Sequence, residues 1–159
     1  MNTCLFCNPE LESNQKIVFS NELCMFLQLT ESQVRGSQLE GAGVIVPKIH
    51  RETAFELTVK EWGATYSLLK EVKCYIDKKY KPQGYNLGWN CGEIAGQHIF
   101  HAHFHVLPRY SDEPFAGKGI RYLFKGAENK RYGSKVDEKD AYSKTDKYIH
   151  KENTIIKNL

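Results

Sequence analysis

No apolar run in this sequence of 159 residues approaches ~20 residues, the length that a helix needs to span a membrane. The first ten residues also lack the basic and apolar segments of a secretory signal. The five cysteines are odd in number and scattered, which fits free thiols in a reducing compartment better than a disulfide framework. We therefore expect a cytoplasmic protein with no membrane partner.

The net charge is also small, at +3. Its basic excess lies in residues 125–159, which hold nine basic and six acidic side chains. Because the two signs alternate there and no aromatic-rich basic patch is present, the sequence argues against nucleic acid as a partner. With only five prolines and 41% hydrophobic residues, a chain of this length is expected to fold as one domain.

Hydrophobic periodicity predicts an α+β fold with an antiparallel sheet and one long helix. Short or alternating apolar runs indicate strands at residues 16–20, 23–29, 43–47, 85–90 and 99–107. Apolar residues at three- and four-residue spacing indicate a helix over residues 53–80, with Thr58 and Glu61 as a capping box. The sequence shows no βαβ repetition, so we do not expect a parallel sheet.

The chain changes character after Arg109, where glycines and charged residues replace the strand patterns. We therefore expect a folded body over residues 1–110 and a charged C-terminal extension over residues 111–159. Residues 137–157 are compatible with a weak, charged helix, because their apolar stripe is patchy.

Three histidines alternate with apolar residues in one short run: His101, His103 and His105. On a strand, this alternation places the three imidazoles on one face and the apolar side chains on the other. The outer two histidines are then ~13 Å apart, so one metal ion cannot bind all three. A metal-scavenging stretch or a polar sheet face is the plainer interpretation, but such stretches seldom keep strict alternation with bulky apolar partners. The pattern therefore favours three imidazoles that line a cleft and take part in a chemical reaction.

Cys4 and Cys7 form a C-x-x-C pair, a spacing found in zinc sites, in redox dithiols and by chance. A thioredoxin-type redox pair follows a strand, and no strand is indicated upstream of Cys4. Zinc normally takes four ligands, so a zinc site needs two more, for which His50 and His101 are candidates. The alternative for His50 is an ordinary surface histidine after the strand at residues 43–47.

Residues 90–109, NCGEIAGQHIFHAHFHVLPR, resemble the signature of the histidine triad family of nucleotide hydrolases and transferases. The core of that signature, His-x-His-x-His followed by two apolar residues, is complete here. VIVPKIH at residues 44–50 resembles the family's strand that ends in Pro-Lys-x-His, and CLFC at residues 4–7 resembles the cysteine pair of zinc-binding members. The run PRYSDEPFAGKGI resembles some bacterial members.

The resemblance implies a catalytic domain over residues 1–110 with the family's α+β fold, followed by an extension of unassigned role over residues 111–159. It also implies a homodimer that forms through the long helix and a continuous sheet. The positions that match the zinc-binding subfamily imply a structural zinc ion held by Cys4, Cys7, His50 and His101.

The resemblance further assigns His103 as the nucleophile that attacks the α-phosphate of a nucleotide, and His105 as a contact to the phosphate or the leaving group. It implies that Asn90, Gln97 and His98 line the phosphate site, with backbone N–H groups of residues 96–98 as further donors. Two positions depart from the family pattern. Relatives often carry Ser or Thr where His98 stands, and an acidic residue that holds the ribose where Gln28 stands.

The function that this resemblance implies is hydrolysis of nucleotide phosphoramidates, esters or dinucleoside polyphosphates through a covalent histidine–nucleotidyl intermediate. The nucleotide is expected to carry adenine or guanine. A nucleotidyl transferase is an alternative, but that class usually lacks the third histidine, which is present as His105. A second alternative is a nucleotide-binding regulatory protein with little turnover, which the missing ribose acid at Gln28 favours.

Overall fold

The structure, a computed structural model, describes residues 4–130 of the chain. Within that range, five strands form one antiparallel sheet: β1 (Gln15–Ser20), β2 (Cys24–Leu29), β3 (Gly43–Pro47), β4 (Gly84–Trp89) and β5 (Phe104–Arg109). The sheet order is β1-β2-β3-β5-β4, and one long helix, α1 (Val59–Tyr80), connects β3 to β4. The predicted α+β class with an antiparallel sheet and one long helix is confirmed.

The sheet has an apolar core on both faces because its central strands alternate two sets of apolar side chains. Cys24, Phe26 and Ile45 point to one face, where they pack with α1. Met25, Leu27 and Val46 point to the other face, where they pack with Phe6 from the N-terminal segment. The sheet is therefore covered by the helix on one side and by the N-terminal segment on the other.

The helix begins where the predicted capping box lies. The Thr58 side chain accepts a hydrogen bond from the Glu61 backbone N–H, and the Glu61 carboxylate accepts one from the Thr58 N–H. Thr58 itself is extended, so the helix starts at Val59 rather than at residue 53, and Ala54–Glu56 forms a separate 3-10 turn. The buried face of α1 packs on the sheet through Leu68, Val72 and Ile76.

The histidine run is only partly a strand, which corrects the prediction for residues 99–107. β5 begins at Phe104, which pairs with Ile45 of β3 and Trp89 of β4. Upstream of Phe104, the Ala102 N–H donates instead to the Arg51 carbonyl, at 2.6 Å. This bond takes residues 101–103 away from the ladder, so His101 and His103 lie in an irregular segment that leads into the strand.

The first compact unit of the chain ends at Ile120, so residues 111–120 of the predicted extension belong to it. Residues 121–130 belong to a second unit and form two 3-10 turns, Leu123–Lys125 and Ala127–Asn129. The helix considered for residues 137–157 lies outside the described residues. Among residues 4–130, α1 has too few apolar side chains to cross a membrane, and the other helices are shorter still.

Candidate active site and metal site

Four side chains from three separate segments converge behind the histidine run. Cys4 and Cys7 come from the N-terminal turn, His50 follows β3, and His101 precedes β5. Their ligand atoms all lie within 4.8 Å of one another. The Nδ1 atom of His101 is 3.5 Å from each cysteine Sγ, and the Nδ1 atom of His50 is 3.3 Å from the Cys7 Sγ. The structure thus brings together the four residues predicted to bind zinc.

The hydrogen bonds of His101 prepare it to bind a metal. Its Nε2 atom lies 2.8 Å from the Pro47 carbonyl oxygen, which can only accept, so Nε2 carries the proton. Nδ1 is then the unprotonated nitrogen, and it faces the two thiols. Burial also lowers the pKa of His101 and favours the neutral ring that a metal ligand requires. Two thiolates and two imidazoles are a donor set that fits zinc.

His103 is held in the opposite tautomer. Its Nδ1 atom lies 2.8 Å from the His101 carbonyl oxygen, so Nδ1–H donates and Nε2 keeps a free lone pair. The side chain is only 6% exposed, and the Phe6 ring packs against it at 5.3 Å between centroids. Burial lowers the pKa of His103 and outweighs the hydrogen bond to the His101 carbonyl, which raises it, and the nearby charge of His98 adds a smaller lowering. The ring is therefore neutral near pH 7, as a nucleophile must be.

His105 lies next to His103, with 4.9 Å between the ring centroids. It is paired with Val44 of β3 and Gly88 of β4 across the sheet, and burial lowers its pKa as well. Its Nε2 atom is buried and has no hydrogen-bond partner among the described residues. A buried polar atom without a partner is costly, so this nitrogen is suited to contact a bound molecule.

The loop before the triad is held by Gln97, whose side chain is fully buried. Its Oε1 atom accepts from the Gly92 N–H, and its Nε2 atom donates to the Glu52 and Ile99 carbonyls. The Gln97 amide is therefore already used within the loop, and its contact to substrate stays a prediction. The backbone N–H groups of Gly96 and Gln97 are used too, because they donate to the Glu93 and Gly92 carbonyls.

The other two residues predicted in this loop remain available as phosphate contacts. The Asn90 Nδ2 atom donates to the Gly96 carbonyl at 3.3 Å, which ties the start of the loop to its end. Its carbonyl oxygen and second N–H are not required for that bond. The His98 side chain is exposed and lies close enough to His103 to affect its pKa, after the larger effect of burial.

The contact of Gln28 to the ribose stays a prediction, and in the structure this side chain bonds to the backbone. Gln28 lies on the face of β2 that carries Cys24 and Phe26, whereas His105 lies on the opposite face, in a row with Val44 and Leu27. The side chain is 3% exposed, and its amide donates to the Gly41 carbonyl at 2.9 Å. Gln28 therefore supports the loop that precedes β3.

Sequence reasoning missed the ion pair that holds residues 50–52 in place. The Arg51 Nε atom lies 3.1 and 3.2 Å from the two carboxylate oxygens of Glu61, the capping residue of α1. The Arg51 and Glu52 carbonyls accept from Ala102 and Gln97, which flank the active segment. None of these three contacts has a signal in sequence spacing, because the partners are 10, 45 and 51 residues apart.

Phe6 was also missed, although it lies inside the C-x-x-C pair. It is buried with Met25, Leu27 and Val46, and its ring packs edge-on against both His101 and His103. The same short turn therefore carries the two cysteines of the Cys/His cluster and the Phe6 ring that packs against His103.

Comparison with known proteins agrees with this geometry. A sequence model of the HIT domain matches residues 10–112. An uncharacterised HIT-like protein of Methanocaldococcus jannaschii is 33% identical over 116 residues, which are 69% of this chain and 81% of that protein. The adenosine 5′-monophosphoramidase of Schizosaccharomyces pombe is 28% identical over 142 residues, which are 86% of this chain and 98% of that protein.

The fold is also found among solved structures. The crystal structure of a Zn-bound histidine triad family protein from Mycobacterium smegmatis superposes with a TM-score of 0.58 and covers 72% of this chain and 81% of that one. The two sequences are 19% identical, so this likeness shows the fold alone. The HIT domain match spans more than half of the chain and includes all five strands, α1 and the three histidines. The chain belongs to the HIT domain family.

Proposed function

We propose that this protein is a nucleotide hydrolase that attacks the α-phosphate of adenine or guanine nucleotide phosphoramidates, esters or dinucleoside polyphosphates. The observation that carries this proposal is the tautomer of His103. A neutral imidazole whose Nδ1–H is bonded to a backbone carbonyl presents Nε2 as a nucleophile. The name of the Schizosaccharomyces pombe relative, an adenosine 5′-monophosphoramidase, supports a phosphoramidate as the substrate class.

In the first half-reaction, the lone pair of His103 Nε2 attacks the α-phosphorus and the bond from phosphorus to the leaving group breaks. For a phosphoramidate this is a P–N bond, and the departing nitrogen takes a proton from His98, the exposed imidazole beside the nucleophile. The His101 carbonyl stabilises the Nδ1–H as positive charge develops on the ring of His103. The nucleotidyl group is then covalently bound to His103.

In the second half-reaction, water attacks the same phosphorus, His98 takes a proton from that water, and the bond to His103 Nε2 breaks. The products are a nucleoside monophosphate and the protonated leaving group, and both histidines return to their starting states. His105 and Asn90 contact the phosphoryl oxygens in both steps. Binding an anionic phosphate beside His105 raises the pKa of its imidazole, because a nearby negative charge favours the protonated ring.

We propose zinc as the metal of the Cys4, Cys7, His50 and His101 cluster. The donor set and the tautomer of His101 fit this ion. Zinc bound here would cross-link the three chain segments that carry its ligands. The His101 carbonyl also accepts the bond that sets the His103 tautomer, so ordering of His101 orders the nucleophile.

We further propose a homodimer. β4 lies at one edge of the sheet among the described strands, and its backbone is open to pairing with another strand. The outer face of α1 beside it carries Val59, Trp62 and Tyr66, which are exposed apolar side chains at helical spacing. The contact between Trp62 and Trp89 of β4 joins the two surfaces.

The proposed hydrolase is tested by trapping its intermediate. Adenosine 5′-phosphoramidate with a radiolabelled phosphate is mixed with the protein, and the reaction is stopped with denaturant. We expect label on the wild-type chain at His103 by peptide mapping, and none on His103→Ala with unchanged thermal unfolding. Label on His103→Ala at the wild-type level would overturn the nucleophile assignment, and turnover without label would overturn the covalent mechanism.

A further inference from the structure

One peptide group carries the bond that sets the tautomer of His103. The oxygen of the peptide group between His101 and Ala102 accepts from His103 Nδ1–H at 2.8 Å. The N–H of the same peptide group donates to the Arg51 carbonyl oxygen at 2.6 Å. Because this peptide group is planar and trans, its N–H and C=O point in opposite directions, and holding one fixes the direction of the other. The Arg51 carbonyl therefore orients the group to which the His103 ring is bonded.

The Arg51 backbone is held in turn by an ion pair at the start of α1. The Arg51 Nε atom lies 3.1 and 3.2 Å from the two carboxylate oxygens of Glu61. The Glu61 side chain is buried, and Thr58 donates to it through its backbone N–H and through its hydroxyl. The carboxylate is therefore a fixed anchor, and the Arg51 side chain ties the carbonyl that faces Ala102 to this anchor.

The Glu61 carboxylate is charged at neutral pH. Burial raises the pKa of Glu61, but the hydrogen bonds from Thr58 and Arg51 outweigh burial and hold the pKa below its ordinary value. Removing the cation of a buried pair leaves its partner charged and desolvated, which perturbs the structure more than the loss of an exposed pair does. Loss of the Arg51 charge is therefore expected to disturb the whole series of bonds from Glu61 to His103.

We infer that Arg51 is a positioning residue for His103, and that it acts through the carbonyl that holds the peptide group between His101 and Ala102. Arg51 sets the direction in which the Nε2 lone pair of His103 points toward the phosphorus, and it does not touch the reacting atoms. The inference rests on the proposed hydrolase, because it assigns a further residue to the first half-reaction.

The test is the rate at which radiolabelled adenosine 5′-phosphoramidate labels His103 in a single turnover. We expect Arg51→Gln to lower the rate at saturating substrate by about tenfold or more, because a displaced nucleophile slows attack. The half-saturating substrate concentration should stay within about twofold of wild type, since binding is not weakened. Arg51→Lys should restore most of the rate. The pair uses Nε, and a lysine ammonium lies one carbon further along the side chain, so it reaches the same carboxylate.

Glu61→Gln tests the other end of the ion pair. Its amide oxygen still accepts from the Thr58 N–H, so the helix cap is retained while the charge is lost. If Arg51 acts through Glu61, Glu61→Gln slows labelling as well, and the double variant is no slower than the slower single variant. A rate lost in Arg51→Gln alone, or losses that multiply in the double variant, would indicate that the 29% exposed Arg51 side chain contacts substrate, and would overturn the positioning role.

Lys73→Gln is the matched control, because it removes the cation of an exposed ion pair with Asp77 on the same helix. Its labelling rate should stay within about twofold of wild type, since exposed pairs contribute little. Zinc content and thermal unfolding are measured for every variant, because Arg51 follows His50 of the Cys/His cluster. A rate that falls only together with the metal content would place the effect at His50 and overturn the positioning role.

Labelling of wild type with an unchanged rate in Arg51→Gln would overturn the positioning role and leave the hydrolase intact. If Arg51→Gln does not fold, Glu61→Gln decides the question, and a wild-type rate in that variant would overturn the role. Absence of label on wild-type His103 would overturn the proposed function, and the positioning role with it. The two failures are therefore distinguishable.

Discussion

The chemistry of His103 is set at the scale of a single residue by one hydrogen bond and by burial. The His101 carbonyl accepts the Nδ1 proton, and a desolvated pocket lined by Phe6 disfavours the imidazolium. His101, only two residues away, has the opposite tautomer because the Pro47 carbonyl accepts its Nε2 proton. Two chemically identical side chains thereby present opposite nitrogens, with Nδ1 of His101 facing the two thiols and Nε2 of His103 keeping a free lone pair.

The lowered pKa of His103 predicts the pH dependence of the reaction. A histidine pKa below its ordinary value of about 6.5 means that more than half of the rings are neutral at pH 6.5. Because kcat/KM reports the ionisation of the free enzyme, we expect its acid limb to lie below pH 6.5. The measurement is a kcat/KM profile between pH 4.5 and 8 with an adenosine phosphoramidate.

The same profile on His98→Ser excludes the loop histidine as the origin of the limb, and metal analysis at each pH excludes loss of the ion. An acid limb centred at or above pH 6.5 in wild type would contradict the desolvation argument.

Single residues also show where sequence reasoning stops. The His-x-His-x-His spacing was sufficient to place His103 and His105 side by side, because short-range alternation survives even where the strand does not. The backbone contacts of Gln28 and Gln97 were not predicted, since an amide side chain is equally able to bind a ligand or a backbone group. Only the fold shows that Gly41, Gly92 and Glu52 already satisfy these amides.

At the scale of elements, residues 50–52 connect the Cys/His cluster, the segment that carries His103 and the helix. His50 belongs to the metal cluster, the Arg51 carbonyl holds Ala102 between two of the histidines, and the Glu52 carbonyl holds Gln97. The Arg51 side chain pairs with Glu61 at the start of α1. Local signals predicted β3 and the capping box correctly, but the late start of β5 depends on this long-range bond from Ala102 to Arg51.

The N-terminal turn at residues 4–7 predicts a metal-dependent part of the stability. Cys4→Ser removes one thiolate, so we expect loss of zinc and a Tm lower by about 4–8 °C, equivalent to a loss of roughly 2 kcal/mol. The measurements are elemental analysis of protein purified without chelators and thermal unfolding.

Cys74→Ser is the matched control, because Cys74 is an exposed thiol on α1 outside the metal cluster. It should keep both zinc and the wild-type Tm. Wild-type protein without zinc, or Cys4→Ser with a full equivalent, would contradict the assignment.

At the scale of the whole molecule, the sheet order follows from the antiparallel pairing of neighbouring strands, except that β5 lies between β3 and β4. This insertion places β5 and the histidine run that leads into it inside the sheet rather than at its edge, next to β3 and the N-terminal segment. It also leaves β4 at an edge, next to the outer face of α1. The sequence predicted the strands and the class, but strand order depends on contacts that no local pattern encodes.

The exposed surface formed by β4 and the outer face of α1 predicts the assembly state. We expect light scattering to give about twice the monomer mass of 18.3 kDa. Tyr66→Glu places a charge in the centre of that surface and should weaken dimerisation by about tenfold or more, since aromatic anchors each contribute more than 1 kcal/mol.

Val34→Glu is the matched control, because both side chains are 63% exposed and Val34 lies in the loop between β2 and β3. A monomeric wild type, or equal weakening by both substitutions, would contradict a dimer built through this surface. If only Tyr66→Glu dissociates and its phosphoramidase rate persists, each subunit contains a complete site.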